Sequence, residues 1–476
     1  MPTKKVLLFI SDSTARGRGD FEYLMTLSDS NYLMSLGMDL EDVEIKRVMY
    51  VSTSNDTLMR NEKCLIPDQP GLTVFLYPKE GSVRNHLANL ASSEDIAHIV
   101  VVSVEYLRRM LPESVDQKNV SVIGAHASLS ALREHLKFSG KQVLFSQQRV
   151  LNNFFPIGVG SGFLMPKPLV PIFQSDERLR CFNSITDEAY KTFLLQNKTP
   201  ADFFNTTLFV PAYLQSEADT RLFLNALTSS QLDNDFRAGT TIHLSLQSNV
   251  NHIFNTCQNV IDALYDNSLQ ALLNRGYTKI VVRMGADSQE ISLPTPDDKP
   301  LPEKVFRIIS GMYLKEKKDF EKLYGVAQKI AVTSGDNTFN NAIAKGVIPY
   351  NVTTDLNQIL KNEIRDFISA RLDRAIQKGV IVPEKKDQVL KLVDALMPRG
   401  GPDTIYNEEN CQRQSMIIAQ TLTESVKNGS LIILGSFIKT LQDKHDFDNT
   451  MREKILPLWR SSLGSAPQPR SPENSI

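Results

Sequence analysis

Cysteine is scarce and scattered. The four, Cys64, Cys181, Cys257 and Cys411, form no C-x-x-C pair, and only Cys257 has a histidine close by, the single His252. This argues against a disulfide framework or a structural zinc site and fits a reducing compartment, so a cytoplasmic location is expected. Charge of one sign is missing too: 53 Lys and Arg stand against 54 Asp and Glu, so no strong attraction to nucleic acid or anionic lipid is expected. Long apolar runs are absent. Nothing approaches the roughly 18 residues of a membrane span, and the run at 6–10 is too short for a signal peptide and leads into a polar turn. There is no G-x-x-x-x-G-K-[ST] of a P-loop NTPase, no G-x-S-x-G elbow and no H-E-x-x-H.

What is present is a long α/β pattern. At 476 residues the chain exceeds one ordinary core, and two or three domains are expected. Apolar runs at 6–10, 43–51, 72–77, 99–104, 120–125 and 143–145 read as strands, with helical spacing at 21–36, 83–90 and 129–136 between them. A Gly- and Pro-rich stretch follows, including "PIGVGSGFL" at 156–164, whose G-x-G-x-G is not the dinucleotide fingerprint and reads as a flexible loop. A second series has strands at 208–213, 241–246, 279–283, 306–310 and 330–333 with helices between. From 355 on the pattern is helical only, and "GSAPQPRSPENSI" is a polar tail expected to be disordered. The expected organisation is a βα domain over 1–190, a second over 191–355, a helical extension over 356–460 and a tail over 461–476.

Two turns carry the chemistry. In "VTSGDNTFNNAIAKGVIPY", residues 332–350, a strand runs through Ser334, Gly335, Asp336, Asn337 and Thr338 straight into a helix. A helix start offers unpaired N–H groups and partial positive charge, and a glycine lets an anion come close. By itself the pattern is also what a capped helix after a glycine turn would show. In "SDSTARGRGDFEYL", residues 11–24, Asp20 opens a helix after the first strand, with Arg16 and Arg18 beside it. A helix cap flanked by solvated arginines is the plain alternative. Asp446-Phe447-Asp448 forms a D-x-D, but between helices, where it reads as a solvated turn.

The segment from Phe306 to Pro349 resembles the donor-binding half of GT-B glycosyltransferases: "RIISGMY" looks like the strand ending at the base, and the 332–350 segment like the glycine turn and helix beside the diphosphate. The resemblance implies two facing Rossmann-like βα domains with a helical C-terminal extension, an interdomain cleft, and sugar transfer from a nucleotide sugar to an unknown acceptor, a protein among the candidates. It implies Asp20 as base; Arg16 and Arg18 for an anionic acceptor or the diphosphate; and Tyr213, Arg283, Gly311, Tyr313, Ser334, Gly335, Asp336, Asn337, Thr338 and Asn341 around the donor. No cofactor and no metal are expected, nor a nucleic-acid partner. Asn341 stands five before Gly346, where the family carries a ribose-binding Glu, and an amide lacks the charge-assisted grip of a carboxylate. Two other readings stay open: a nucleotide-sugar epimerase or hydrolase on the same fold, and a non-catalytic binding protein acting through its helical region. The polar tail would also suit an effector secreted into a host cell without a cleavable signal.

Overall fold

A computed structural model describes residues 4–13, 19–52, 69–77, 80–102, 111, 115–124, 154–156, 175–294, 303–312, 314, 317–334, 336–351, 358–398, 408–444 and 447–464. By its contacts the chain divides into two units, Met1–Leu164 with His445–Ile476, and Met165–Lys444.

The first unit holds a six-stranded sheet: β1 (Lys5–Ser13), β2 (Val43–Ser52), β3 (Leu72–Tyr77), β4 (Ile96–Val101), β5 (Val120–Gly124) and β6 (Phe154–Pro156), in the order β3-β2-β1-β4-β5-β6. Every neighbouring pair is parallel. Parallel strands are covered on both faces, which is why β1 reads as an unbroken apolar run rather than an alternation. Leu7 and Phe9 enter one core with Phe21, Leu24 and Leu27, while Val6, Leu8 and Ile10 enter the opposite one with Val83 and Leu87. The helix expected over 21–36 is two, Gly19–Leu27 and Ser30–Ser35, because Asp29 breaks it and caps the second, accepting from Tyr32 N at 2.8 Å.

The end of the chain belongs to this unit. Phe447, Met451, Ile455, Trp459 and Leu463, spaced by four, form one apolar stripe that packs with Leu7 and Phe9. The D-x-D segment is accordingly not a solvated turn: Phe447 is buried, and Asp448 accepts from the Tyr32 hydroxyl at 2.8 Å. The polar tail from 465, the strand expected at 143–145 and the helix expected at 129–136 lie outside the described residues.

The second unit holds β7 (Thr207–Leu214), β8 (Gly239–Leu246), β9 (Lys279–Met284), β10 (Asp287–Ser292), β11 (Val305–Ser310), β12 (Ile330–Val332) and β13 (Ile348–Tyr350), ordered β10-β9-β11-β8-β7-β12-β13. All pairs are parallel except β9 with β10, a hairpin at the sheet's edge. Gly285, at φ +58°, supplies the left-handed residue its two-residue loop needs, so it serves the hairpin rather than a ligand loop. Helices Ser175–Asn183, Glu188–Leu195 and Pro200–Thr206 pack with Phe209 and Ile309 in this unit. Four of the C-terminal helices, Gln358–Gln377, Glu384–Leu396, Glu408–Asn428 and Ser430–Lys444, also belong to it. Glu408–Asn428 packs along Glu217–Ser229, with the Cys411 thiol 3.7 Å from the Ala218 carbonyl and Thr423 Oγ1 accepting from Gln231 N at 3.1 Å. Among the described residues no helix is long and apolar enough to cross a membrane.

Candidate functional site

In an open parallel sheet, ligands bind beyond the carboxyl ends of strands, where the strand order reverses. In the second unit that point lies between β7 and β12. The chain leaves β7 through Glu217–Ser229 to reach β8 on one side, and leaves β12 through the Asp336–Ala344 helix to reach β13 on the other. Val332 pairs with Ala212, so Thr333 and Tyr213 follow at the same level.

Beyond β7, Ser216 caps the next helix, accepting from Asp219 N at 3.1 Å and donating to Asp219 Oδ2 at 2.5 Å. Asp219 is only 4% exposed, and burial pushes its carboxyl up to about 6, against the Ser216 bond and the charge of Lys361. The Tyr213 ring lies 6.3 Å from Phe320, which lies 5.6 Å from Tyr324. Tyr324 donates to the Val332 carbonyl at 3.2 Å and is hydrogen-bonded to the Thr338 side chain. These rings therefore join Tyr213 to the first turn of the Asp336–Ala344 helix. Among the residues expected from sequence, Tyr213 and Thr338 are linked through these rings, and Asn341 lies one turn beyond Thr338 on the same helix.

The Asp336–Ala344 helix ends as its sequence implies. Gly346, at φ +67°, donates to Ile343 O at 2.9 Å, and Val347 donates to Ala342 O at 2.9 Å, a Schellman cap. From Thr338 to Ala344 every residue is buried, the polar ones included. Asn341 is 4% exposed, and its buried side-chain oxygen makes no hydrogen bond among the described residues. Leaving a buried acceptor unpaired costs about 1–3 kcal/mol, so a native site that keeps one calls for an explanation.

Arg283 and Gly311 form a second group. Four strand spacings separate β9 from β12, about 19 Å at ~4.8 Å each, so Arg283 is not brought to the 334–338 turn. Its guanidinium lies 5.4 Å from the Phe193 ring centroid, and its buried Nε makes no hydrogen bond. No carboxylate pairs with it among the described residues. Gly311, at φ +66°, opens the turn after β11, and Ser310 before it is buried with an unbonded hydroxyl. Tyr313, Gly335, Arg16 and Arg18 lie outside the described residues, as do the side chains of Asp20, Asp336 and Asn337; Asp20 is the second residue of the Gly19–Leu27 helix.

His243 and Ser245 of β8 lie outside the motifs that mark the sequence. A signal exists in "TTIHLSL": Thr241, His243 and Ser245 alternate with apolar residues and share one face of the sheet. Ser245 pairs with Tyr213 across the ladder, between the two groups above. Among the described residues no cluster of three or more His, Cys, Asp or Glu could hold a metal.

No protein-family model and no curated protein sequence matches the chain. Among solved structures it is similar to a glycosyltransferase from Rickettsia africae ESF-5, at 10% identity and TM-score 0.41 over 97% of this chain and 100% of that one. UGT2 of Phytolacca americana, complexed with UDP-2fluoro-glucose and pterostilbene, aligns at 10% identity and TM-score 0.44 over 96% and 99%. A putative UDP-N-acetylglucosamine 2-epimerase from Listeria monocytogenes aligns at 11% and 0.42 over 98% of each chain. These likenesses extend over nearly the whole chain.

Proposed function

We propose that the second unit binds a nucleoside diphosphate sugar at the carboxyl edge of its sheet, and that the protein is a metal-independent glycosyltransferase. The observation that carries this is Asn341: a buried side-chain oxygen without a hydrogen bond, in the helix that opens at the switch point. A ribose hydroxyl would satisfy it. The 334–338 turn would offer backbone N–H groups and the Ser334 and Thr338 hydroxyls to the diphosphate, and Arg283 and Gly311 would meet the far end of an extended ligand. In the transfer step the acceptor hydroxyl gives its proton to the Asp20 carboxylate as its oxygen bonds the sugar's anomeric carbon. The bond from that carbon to the diphosphate breaks, and the diphosphate leaves with the electron pair.

Thermal shift with UDP-, GDP-, ADP- and TDP-sugars tests this. A ligand held at a hundred times its Kd adds about 2.7 kcal/mol, and one of the four is expected to raise Tm accordingly. No rise with any of them would overturn the donor site. A rise with neither transfer nor hydrolysis would favour a non-catalytic binding protein. Asp20→Ala is expected to abolish transfer and leave donor affinity largely intact, whereas loss of both would remove its role as base.

A further inference from the structure

His243 is 1% exposed, and burial pushes its pKa down to about 4, so its ring is neutral at physiological pH. Both ring nitrogens are engaged: Nδ1 lies 2.9 Å from the Tyr190 hydroxyl and Nε2 lies 3.1 Å from Ser245 Oγ. A neutral imidazole has one donor and one acceptor, so these bonds have a direction. Tyr190 is also 1% exposed; its hydroxyl makes no other hydrogen bond among the described residues, and burial keeps the phenol protonated. Its proton therefore goes to Nδ1. The ring hydrogen then sits on Nε2 and is donated to Ser245.

Ser245 consequently accepts from His243 and keeps its own O–H, for which no acceptor lies among the described residues. It is the penultimate residue of β8, half-buried, level with Tyr213 on one neighbour and next to the turn at Gly311 on the other. Arg283 is on the same face, two strands away, pairing with Ile309, which pairs with His243. A hydroxyl that already accepts a hydrogen bond is a better donor, because the bonds polarise one another. A donor of this kind near a cation without a carboxylate suits an anionic oxygen.

We infer that Ser245 donates a hydrogen bond to a phosphate oxygen of the bound ligand, with Tyr190 and His243 as positioning residues that aim its hydroxyl toward the carboxyl edge. The phosphate rests on the nucleotide reading above; the direction of the relay does not.

Calorimetry on the full chain with inorganic pyrophosphate and with UDP, GDP, ADP and TDP tests the contact. Ser245→Ala is expected to weaken binding about tenfold, with a modest fall in Tm because the buried His243 Nε2–H loses its acceptor, and Ser245→Thr to restore most of both. Tyr190→Phe frees the ring to change tautomer and is expected to weaken binding by a smaller factor. Nitrogen-15 NMR of wild type is expected to show His243 protonated at Nε2. A hydrogen at Nδ1, or full affinity in Ser245→Ala, overturns this inference and leaves the nucleotide reading standing. Failure of wild type to bind any phosphate probe overturns both.

Discussion

His98 in the first unit and His243 in the second are alike in everything that usually singles out a histidine. Both lie on strands of a parallel sheet, both are almost fully buried, and burial pushes their pKa values down to about 3 and about 4. Each holds both ring nitrogens in bonds to hydroxyls. Their proton chains end differently. Trp459 Nε1, which can only donate, gives to Ser121 Oγ at 3.0 Å; Ser121 then gives to His98 Nε2 at 3.1 Å. That puts the ring hydrogen on Nδ1, which gives to Ser462 Oγ at 2.9 Å, and Ser462 gives to the Leu458 carbonyl at 3.2 Å. Every proton is used inside the protein. The chain through His243 stops at a half-buried serine with a proton left over. Burial and a low pKa are common to a structural and a ligand-facing histidine; the destination of the last proton separates them.

The widest break in that comparison comes from Trp459→Ala. The indole is fully buried, edge-on to Phe9 at 5.5 Å, and heads the His98 chain. Its removal is expected to cost the first unit about 3–5 kcal/mol, read from urea unfolding by circular dichroism, with pyrophosphate binding unchanged. A loss below about 1 kcal/mol would mean that the Leu456–Leu463 helix is not held to its sheet through this residue.

Acid should act on both histidines with one sign. Their folded pKa values lie below the ordinary 6.5, so the unfolded chain binds more protons and stability falls as pH drops from 6.5 toward 4 and toward 3. Asp219 opposes this. Its folded pKa is raised from 3.8 to about 6, so its burial penalty is relieved as pH falls through that window. Between pH 6.5 and 5 the net is expected to be a loss of about 2 kcal/mol, measured from denaturation midpoints at intermediate pH values. A flat profile would mean that neither ring is buried neutral.

His98→Leu and His243→Leu are each expected to cost about 1–2 kcal/mol, since each leaves one buried hydroxyl proton, that of Ser121 or of Tyr190, without an acceptor. Only the second should weaken pyrophosphate binding. Equal effects on affinity would erase the distinction between the closed chain and the open one.

Much of this was legible in the sequence, and the exceptions have physical causes. β1 and β7 announce themselves because strands buried on both faces are apolar almost throughout, whereas β10, "DSQEIS", was invisible because an edge hairpin has no such need. The Met451 to Leu463 stripe is plainly helical, but nothing local says that it packs on a sheet whose first strand begins at Lys5. Asn341 could be singled out from its spacing to Gly346. Ser245 could not, because its orientation depends on Tyr190, 53 residues before the histidine that joins them.

Asn341 sharpens the comparison from the other side, since it is a buried polar side chain whose oxygen makes no hydrogen bond among the described residues. Were it structural, replacing it by an apolar residue of similar volume would remove contacts and destabilise. Because its side-chain oxygen is unpaired in the free protein, Asn341→Leu is instead expected to raise stability by about 0.5–1 kcal/mol while lowering nucleotide affinity at least about tenfold. Both changes read from one thermal-shift series, with and without ligand, and they must move in opposite directions. A variant less stable than wild type with its affinity intact would make the amide part of the core and remove the strongest support for a ribose at this helix.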